Sequence, residues 1–145
     1  RFWDSSGLVL LLVDQQGSEQ AKDLLREDPD IAVWWGSAVE CWSALARLRR
    51  DGHLSPAAEV EAGRLLTTLL EGAFEVQPSE EVRRLSIRLL RVHPLRSADA
   101  LQLAAALAWA GDPPPPGRRL VALDRRLREA AYLEGLTVLP ATPEV

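Results

Sequence analysis

Four acidic residues carry the chemistry that this sequence offers. Asp4 closes a short apolar start, Phe2-Trp3-Asp4. Glu40 lies one turn into the helix expected after the apolar run Ile31 to Trp35. Asp99 begins an almost wholly apolar helix after Pro94, and Asp124 follows the strand candidate Arg119-Leu120-Val121-Ala122-Leu123. All four therefore fall at strand ends or helix starts, and in open α/β sheets the ligand crevice lies at the carboxyl ends of the strands. Taken singly, each has an ordinary explanation. Ser37-Ala38-Val39-Glu40 reads as a capping box, Asp124 as an N-cap and Asp99 as the neighbour of the N-cap candidate Ser97, and acids at helix starts are favoured by the macrodipole. Together they make a different demand, because four like charges converging on one crevice repel unless they are protonated or neutralised by a cation. Carboxylate oxygens suit a hard divalent ion, Mg²⁺ or Mn²⁺. The hydrolysis such a site supports uses a water acidified by the ion, with charge on the substrate oxygens absorbed by it.

Composition removes competing chemistries. The single cysteine, Cys41, excludes an internal disulfide and a multi-cysteine zinc site, and two histidines, His53 and His93, are too few for a histidine-rich one. Of the 17 basic residues all but Lys22 are arginine, and Lys22 lies in no recognisable motif. The glycine-rich loop with lysine of P-loop NTPases is absent, as is the nucleophile elbow of serine hydrolases. A phospho-receiver also pairs acids with Mg²⁺ on a parallel sheet, but here the first strand ends in a lone Asp4 and no lysine follows a late strand. Net charge of −4 and a pI of about 5.2 argue against binding nucleic acid through a general basic surface. Positive charge near the acids is local: Arg96 lies three residues before Asp99, and Arg125-Arg126 directly follow Asp124, as candidates to bind flanking phosphates. Arg47-Arg49-Arg50 and Arg83-Arg84-Arg88-Arg91 read as solvated helix faces. Ser6, beside Asp4, is a candidate to hydrogen-bond the site or to cap a helix. Trp34, Trp35 and Trp42 read as core, with Trp35, at the strand's carboxyl end, the best placed to stack a base.

The elements that position these residues alternate. After the Phe2-Trp3-Asp4 strand come Ser5-Ser6 as cap candidates and a helical segment from Gly7 to Val13, continued by an amphipathic helix over Gln15 to Arg26. Ile31 to Trp35 is a strand buried on both faces, and Gly36-Ser37 opens a helix to about Arg50. Ser55-Pro56 caps a helix whose apolar face is Leu65, Leu66, Leu69 and Leu70, closed by Gly72. Phe74-Glu75-Val76, Arg119 to Leu123 and Leu136 to Leu139 are further strands. Ser79 to Arg91, Ser97 to Trp109 and Asp124 to Leu133 are further helices, and Pro113 to Pro116 is an extended polyproline II connector. Short strands separated by helices predict an α/β fold, a parallel β-sheet flanked by helices on both faces.

The ordered motifs resemble those of one family. Phe2-Trp3-Asp4-Ser5-Ser6-Gly7-Leu8-Val9, Ser37-Ala38-Val39-Glu40 with Ser43-Ala44-Leu45, Pro94-Leu95-Arg96-Ser97-Ala98-Asp99-Ala100-Leu101-Gln102-Leu103-Ala104, and Leu123-Asp124-Arg125-Arg126-Leu127 with Ala130-Ala131 and Gly135-Leu136 are similar to the motifs of PIN-domain ribonucleases, and within them to VapC-like toxins of toxin–antitoxin pairs. The resemblance covers the whole chain and implies a metal-dependent endoribonuclease. It implies that Asp4, Glu40, Asp99 and Asp124 are both the catalytic and the metal-binding set for Mg²⁺ or Mn²⁺, with Ser6, Arg96 and Arg125 toward the RNA. It implies a cognate antitoxin and a homodimer. The chain departs from the pattern at Ala122, where members commonly have Thr or Ser two residues before the fourth acid. The alternative is a non-catalytic PIN-like module that binds RNA or protein.

At 145 residues and 16.0 kDa, with 47% hydrophobic and 26% charged residues, the chain is expected to fold as a single PIN-like domain over residues 1–145. Its longest apolar run, Gly7 to Val13, is far below the roughly 20 residues that span a bilayer. That run also lacks the flanks of a secretory signal, so a cytoplasmic location without membrane contact is expected.

Overall fold

The computed structural model describes residues 1–141. In chain order the elements are β1 (Phe2–Trp3), α1 (Ser5–Leu12), α2 (Ser18–Glu27), β2 (Ala32–Trp34), α3 (Ser37–Arg50), α4 (Pro56–Glu71), β3 (Phe74–Val76), α5 (Glu80–Val92), α6 (Ser97–Ala110), β4 (Arg119–Val121), α7 (Arg125–Leu133) and β5 (Thr137–Leu139). The strands form one parallel sheet in the order β3-β2-β1-β4-β5, with Phe2 opposite both Ala32 and Leu120.

Strands this short can hold two cores because neighbouring side chains point to opposite faces. Phe2, Ala32, Trp34, Leu120 and Ala122 face one apolar layer, which α5, α6 and α7 fill with Leu85, Leu89, Leu103, Leu107 and Leu127. Trp3, Val33 and Val121 face the other, filled from α1, α2, α3 and α4 by residues such as Leu8, Leu24, Leu45 and Leu66. The α/β architecture expected from the alternation is therefore present. The connections explain the split. From β1 the chain steps outward through β2 to β3, then returns through α5 and α6 to β4 on the far side of β1. Right-handed crossovers running in opposite directions along a sheet put their helices on opposite faces. The direction changes between β1 and β4, which is where such a sheet opens its crevice.

Close packing at that point depends on Gly7. A Cβ there would stand 3.0 Å from Val121 Cγ1 and 3.3 Å from the Val121 carbonyl oxygen, so a larger residue would push α1 and β4 apart by a few tenths of an ångström. The Asp4 amide donates to the same carbonyl at 2.9 Å.

Several local expectations shift. Asp4, not Ser5 or Ser6, caps α1. α2 starts at Ser18 instead of Gln15, because Gly17 sits at a φ of 94° and the Ser18 hydroxyl ties off the preceding turn, donating to the Val13 carbonyl and accepting from the Gln15 amide. Neither Ser37 nor Ser97 caps its helix: the N-cap positions of α3 and α6 are Gly36 and Arg96, without a side-chain cap bond. In α4 Leu65 is exposed, and Ala62 and Gly63 share the buried face with Leu66. Segment 113–116 is a connector as expected but bends back, with Pro114 against Gly135 and Pro115 against Gly111. Trp35 and Trp42 lie partly in solvent, and only Trp34 of the three is core. On the arginine-rich face of α5, Arg88 reaches Glu134 at 2.8 Å, and Glu134 also meets His93 at 2.9 Å, fastening the end of α5 to the end of α7.

Candidate functional site

Asp4 follows β1 directly and is only 3% exposed. Its Oδ2 accepts both the Ser6 amide, at 3.1 Å, and the Ser6 hydroxyl, at 2.5 Å. The Ser6 oxygen in turn accepts the Leu123 amide at 3.0 Å. One hydroxyl therefore links the acid after β1 to the loop after β4, across the point where the sheet changes direction. Asp124, on that loop, is exposed and caps α7 by accepting the Leu127 amide at 3.0 Å.

Glu40 is held differently. It projects from the first turn of α3, half-buried, and its Oε2 accepts Gln102 Nε2 at 2.7 Å. The same Nε2 donates to the Ser37 hydroxyl at 2.9 Å. Gln102 is 1% exposed, in the middle of α6, and its Oε1 has no partner. In the sequence this residue stands only within the Pro94 to Ala104 motif, with no role of its own. The signal that could have found it is a lone amide inside the apolar run Ala100 to Ala110. Asp99, one turn earlier on α6, is half-buried beside Arg96.

Capping thus accounts for Asp4 and Asp124, and leaves Glu40 and Asp99 unexplained. The electrostatics link all four. Burial raises the Asp4 carboxyl, against the hydrogen bonds from Ser6, and the Asp99 charge raises it further. Burial pushes Glu40 up to about 7, with Asp4 and Asp99 adding to the rise. Asp99 is raised by burial and by Asp124, and lowered by Arg96. Cys41, buried behind Glu40, is pushed up to about 12 by burial and by the charges of Asp4 and Glu40, so its thiol stays protonated and inert. Carboxylates that raise one another without a compensating ion pair repel in a way that a cation would relieve. Among the described residues, however, no three His, Cys, Asp or Glu side chains are arranged to hold an ion by themselves. Two of the acids are turned instead onto donors of the protein, Ser6 and Gln102.

Arg96 and Arg125 are both exposed, Arg96 beside Asp99, while Arg125 meets Glu129 at 3.4 Å. A cavity of about 1260 Å³ lies along α7 and β5 and is lined by none of the four acids. No helix among the described residues is long and apolar enough to cross a membrane.

A parallel sheet of order 3-2-1-4-5 with carboxylates converging at the crevice beside β1 defines a class, α/β proteins with an acidic cleft. The chain belongs to the PIN-domain family, whose description matches residues 1–133. It is 34% identical to Ribonuclease VapC45 of Mycobacterium tuberculosis (strain CDC 1551 / Oshkosh) over 141 residues, 97% of this chain and 94% of that protein. Two solved structures share the fold. They are VapC20 of Mycobacterium tuberculosis, a sarcin-ricin loop cleaving toxin (TM-score 0.65, 20% identity, 92% of this chain and 96% of that one), and FitAcB of Neisseria gonorrhoeae (TM-score 0.65, 15% identity, 94% of each chain).

Proposed function

We propose that the protein is a divalent-metal-dependent endoribonuclease that hydrolyses RNA phosphodiester bonds as the toxin of a toxin–antitoxin pair. The observation that carries this is the set of four carboxylates, three of them (Asp4, Glu40 and Asp99) raised by burial and by the charge of their acidic neighbours and none in an ion pair among the described residues, in a member of the PIN-domain family. Asp4, Asp99, Glu40 and Asp124 would be the residues to hold Mg²⁺ or Mn²⁺. When bound, the ion supplies Lewis acidity that acidifies a water and offsets charge on the phosphate oxygens. The chain's own groups do the rest. Ser6 fixes the rotamer of Asp4 and keeps the β4–α7 loop against it. Gln102 fixes Glu40, whose carboxylate is placed to accept the proton of the attacking water. Arg96 and Arg125 bind the phosphates on either side of the scissile bond.

Charge complementarity also suggests how such an enzyme is kept silent. A cationic side chain of a cognate antitoxin, inserted among Asp4, Glu40 and Asp99, offsets the same repulsion that the ion relieves. A homodimer is the proposed assembly. The second reading, a PIN-like module that binds RNA or protein without cutting, draws on the absence of a preformed ion cage among the described residues.

The deciding experiment is cleavage of single-stranded RNA in Mg²⁺ or Mn²⁺ against EDTA, with Asp99→Asn and Asp4→Asn as variants. Cleavage that needs the ion and falls by orders of magnitude in both variants, at unchanged circular dichroism, supports the proposal. Equal cleavage with chelator, or in Asp99→Asn, refutes it.

A further inference from the structure

At the carboxyl end of β2 the sheet runs out into an aromatic pair that the acid cluster does not use. Ala32, Val33 and Trp34 are buried, yet the next residue, Trp35, is 52% exposed. Its ring is not loose. The Trp34 indole braces it edge-on, with ring centroids 6.4 Å apart and planes at 70°. Trp34 is itself locked by the backbone of Gly36, where a Cβ would stand 2.5 Å from its Nε1. The Trp35 indole is thus half in solvent and half packed on Trp34, in a position where an apolar ring gains nothing from water.

Trp34 and Trp35 form one wall of a cavity of about 400 Å³, and the start of α5 with Leu101 of α6 forms the other. Pro78, Val82 and Leu101 supply its apolar lining, and Ser79, Glu80 and Arg83 its polar lining. Arg83 meets Glu80 at 3.1 Å in an exposed pair. Pairs of that kind are weak and easily exchanged for a phosphate. The cavity adjoins the acids through the chain itself. Leu101 lies next to Gln102, which holds Glu40, and two residues after Asp99; Trp35 lies two residues before Ser37, the other partner of Gln102.

An exposed indole, an apolar lining and the Arg83 guanidinium, whose exposed pair with Glu80 a phosphate can displace, match the parts of a nucleotide: a π-system to stack, a base to shelter and a phosphate to pair. We infer that this cavity is a nucleobase subsite, in which an unpaired base of the RNA strand stacks on Trp35 and an adjoining phosphate pairs with Arg83, beside the bond held over the acids. The inference rests on the ribonuclease reading and deepens it, since the subsite selects which base stands near the cut. An acidic chain needs such a site more than a basic one does, because little of its RNA affinity comes from overall charge. Stacking on one aromatic side chain is worth on the order of tenfold or more in affinity.

Two measurements on wild type, Trp35→Ala, Trp35→Phe and Arg83→Ala test it. The first is cleavage of a randomised single-stranded oligoribonucleotide pool in Mg²⁺, with sequencing of the product ends. The second is binding, in EDTA, of oligoribonucleotides carrying 2-aminopurine at successive positions, read by its fluorescence quenching. Trp35→Ala is expected to raise KM about tenfold, with the loss in KM and not in kcat, and to flatten the base preference at one position. Trp35→Phe should restore most of both, and Arg83→Ala should raise KM without changing the base preference. In EDTA one 2-aminopurine position should be quenched by wild type and not by Trp35→Ala. Wild-type KM and base preference in Trp35→Ala, or quenching that ignores Trp35, overturns the subsite and leaves the ribonuclease standing. Trp35-dependent quenching in a protein that cuts no RNA in Mg²⁺ overturns the ribonuclease reading and keeps the subsite.

Discussion

Glu40→Gln should make the metal-free protein more stable, by an advantage that is absent at pH 4.5, grows as pH rises and is complete above about pH 7. Burial, with the charges of Asp4 and Asp99, pushes this carboxyl from 4.5 up to about 7. The folded protein therefore keeps the proton to about pH 7, whereas the unfolded chain releases it near 4.5. Between those values the native state binds more protons than the unfolded state, so stability falls as pH rises. The contribution is fully present below pH 4.5 and is lost by the time the pH has passed 7. A shift of this size corresponds to at most about 3 kcal/mol, and solvent screening at a half-buried carboxyl reduces that to about 1–2 kcal/mol. A glutamine keeps the oxygen that accepts from Gln102 Nε2 and carries no charge at any pH. In EDTA at pH 8 the variant should melt about 3–6 °C above wild type, and at pH 4.5 the two should coincide. Excess Mg²⁺ at pH 8 should stabilise wild type more than the variant, because an ion that binds only the native state adds stability by mass action. Thermal melts by circular dichroism at the two pH values, each with EDTA and with Mg²⁺, read all of these signs. A variant that melts lower than wild type in EDTA at pH 8, and gains as much from Mg²⁺, would mean that Glu40 is an ordinary helix-start acid and that no repulsive cluster exists.

Two further outcomes follow from the hydrogen bonds around the acids. Gln102→Leu strips Glu40 and the fully buried Ser37 of their shared donor while removing an unpartnered oxygen, so stability should fall by only about 1 kcal/mol but RNA cleavage by tenfold or more, as measured by a melt and a rate on the same preparation. A melt that drops several kcal/mol with an unchanged rate would make Gln102 purely structural. Ser6→Ala removes the side-chain hydrogen bond that lowers the Asp4 carboxyl and loosens the loop carrying Asp124, so the acid limb of the cleavage pH profile should move upward and kcat should fall; an unmoved profile would refute the link.

The sequence by itself determined the alternation of strands and helices, because apolar runs bounded by turn residues have few other solutions. It also placed the four acids at strand ends and helix starts, since those boundaries are written in local residue types: Asp124 before Arg125-Arg126-Leu127, Gly72 after α4, Ser55-Pro56 before it. Local signals failed where a side chain had a partner far along the chain. Ser37 and Glu40 have the spacing of a capping box, but Gln102, more than 60 residues away, competes for both. Ser6 looks like a cap until Leu123 is brought to it across the sheet. Trp34 and Trp35 are indistinguishable in sequence, and only the pleat, the end of β2 and the packing of α5 decide that one is buried and the other faces solvent. Which acids are turned onto donors and which raise one another was likewise decided by tertiary structure alone, because hydrogen bonds and charge repulsion depend on distances that strand order sets and local sequence does not record.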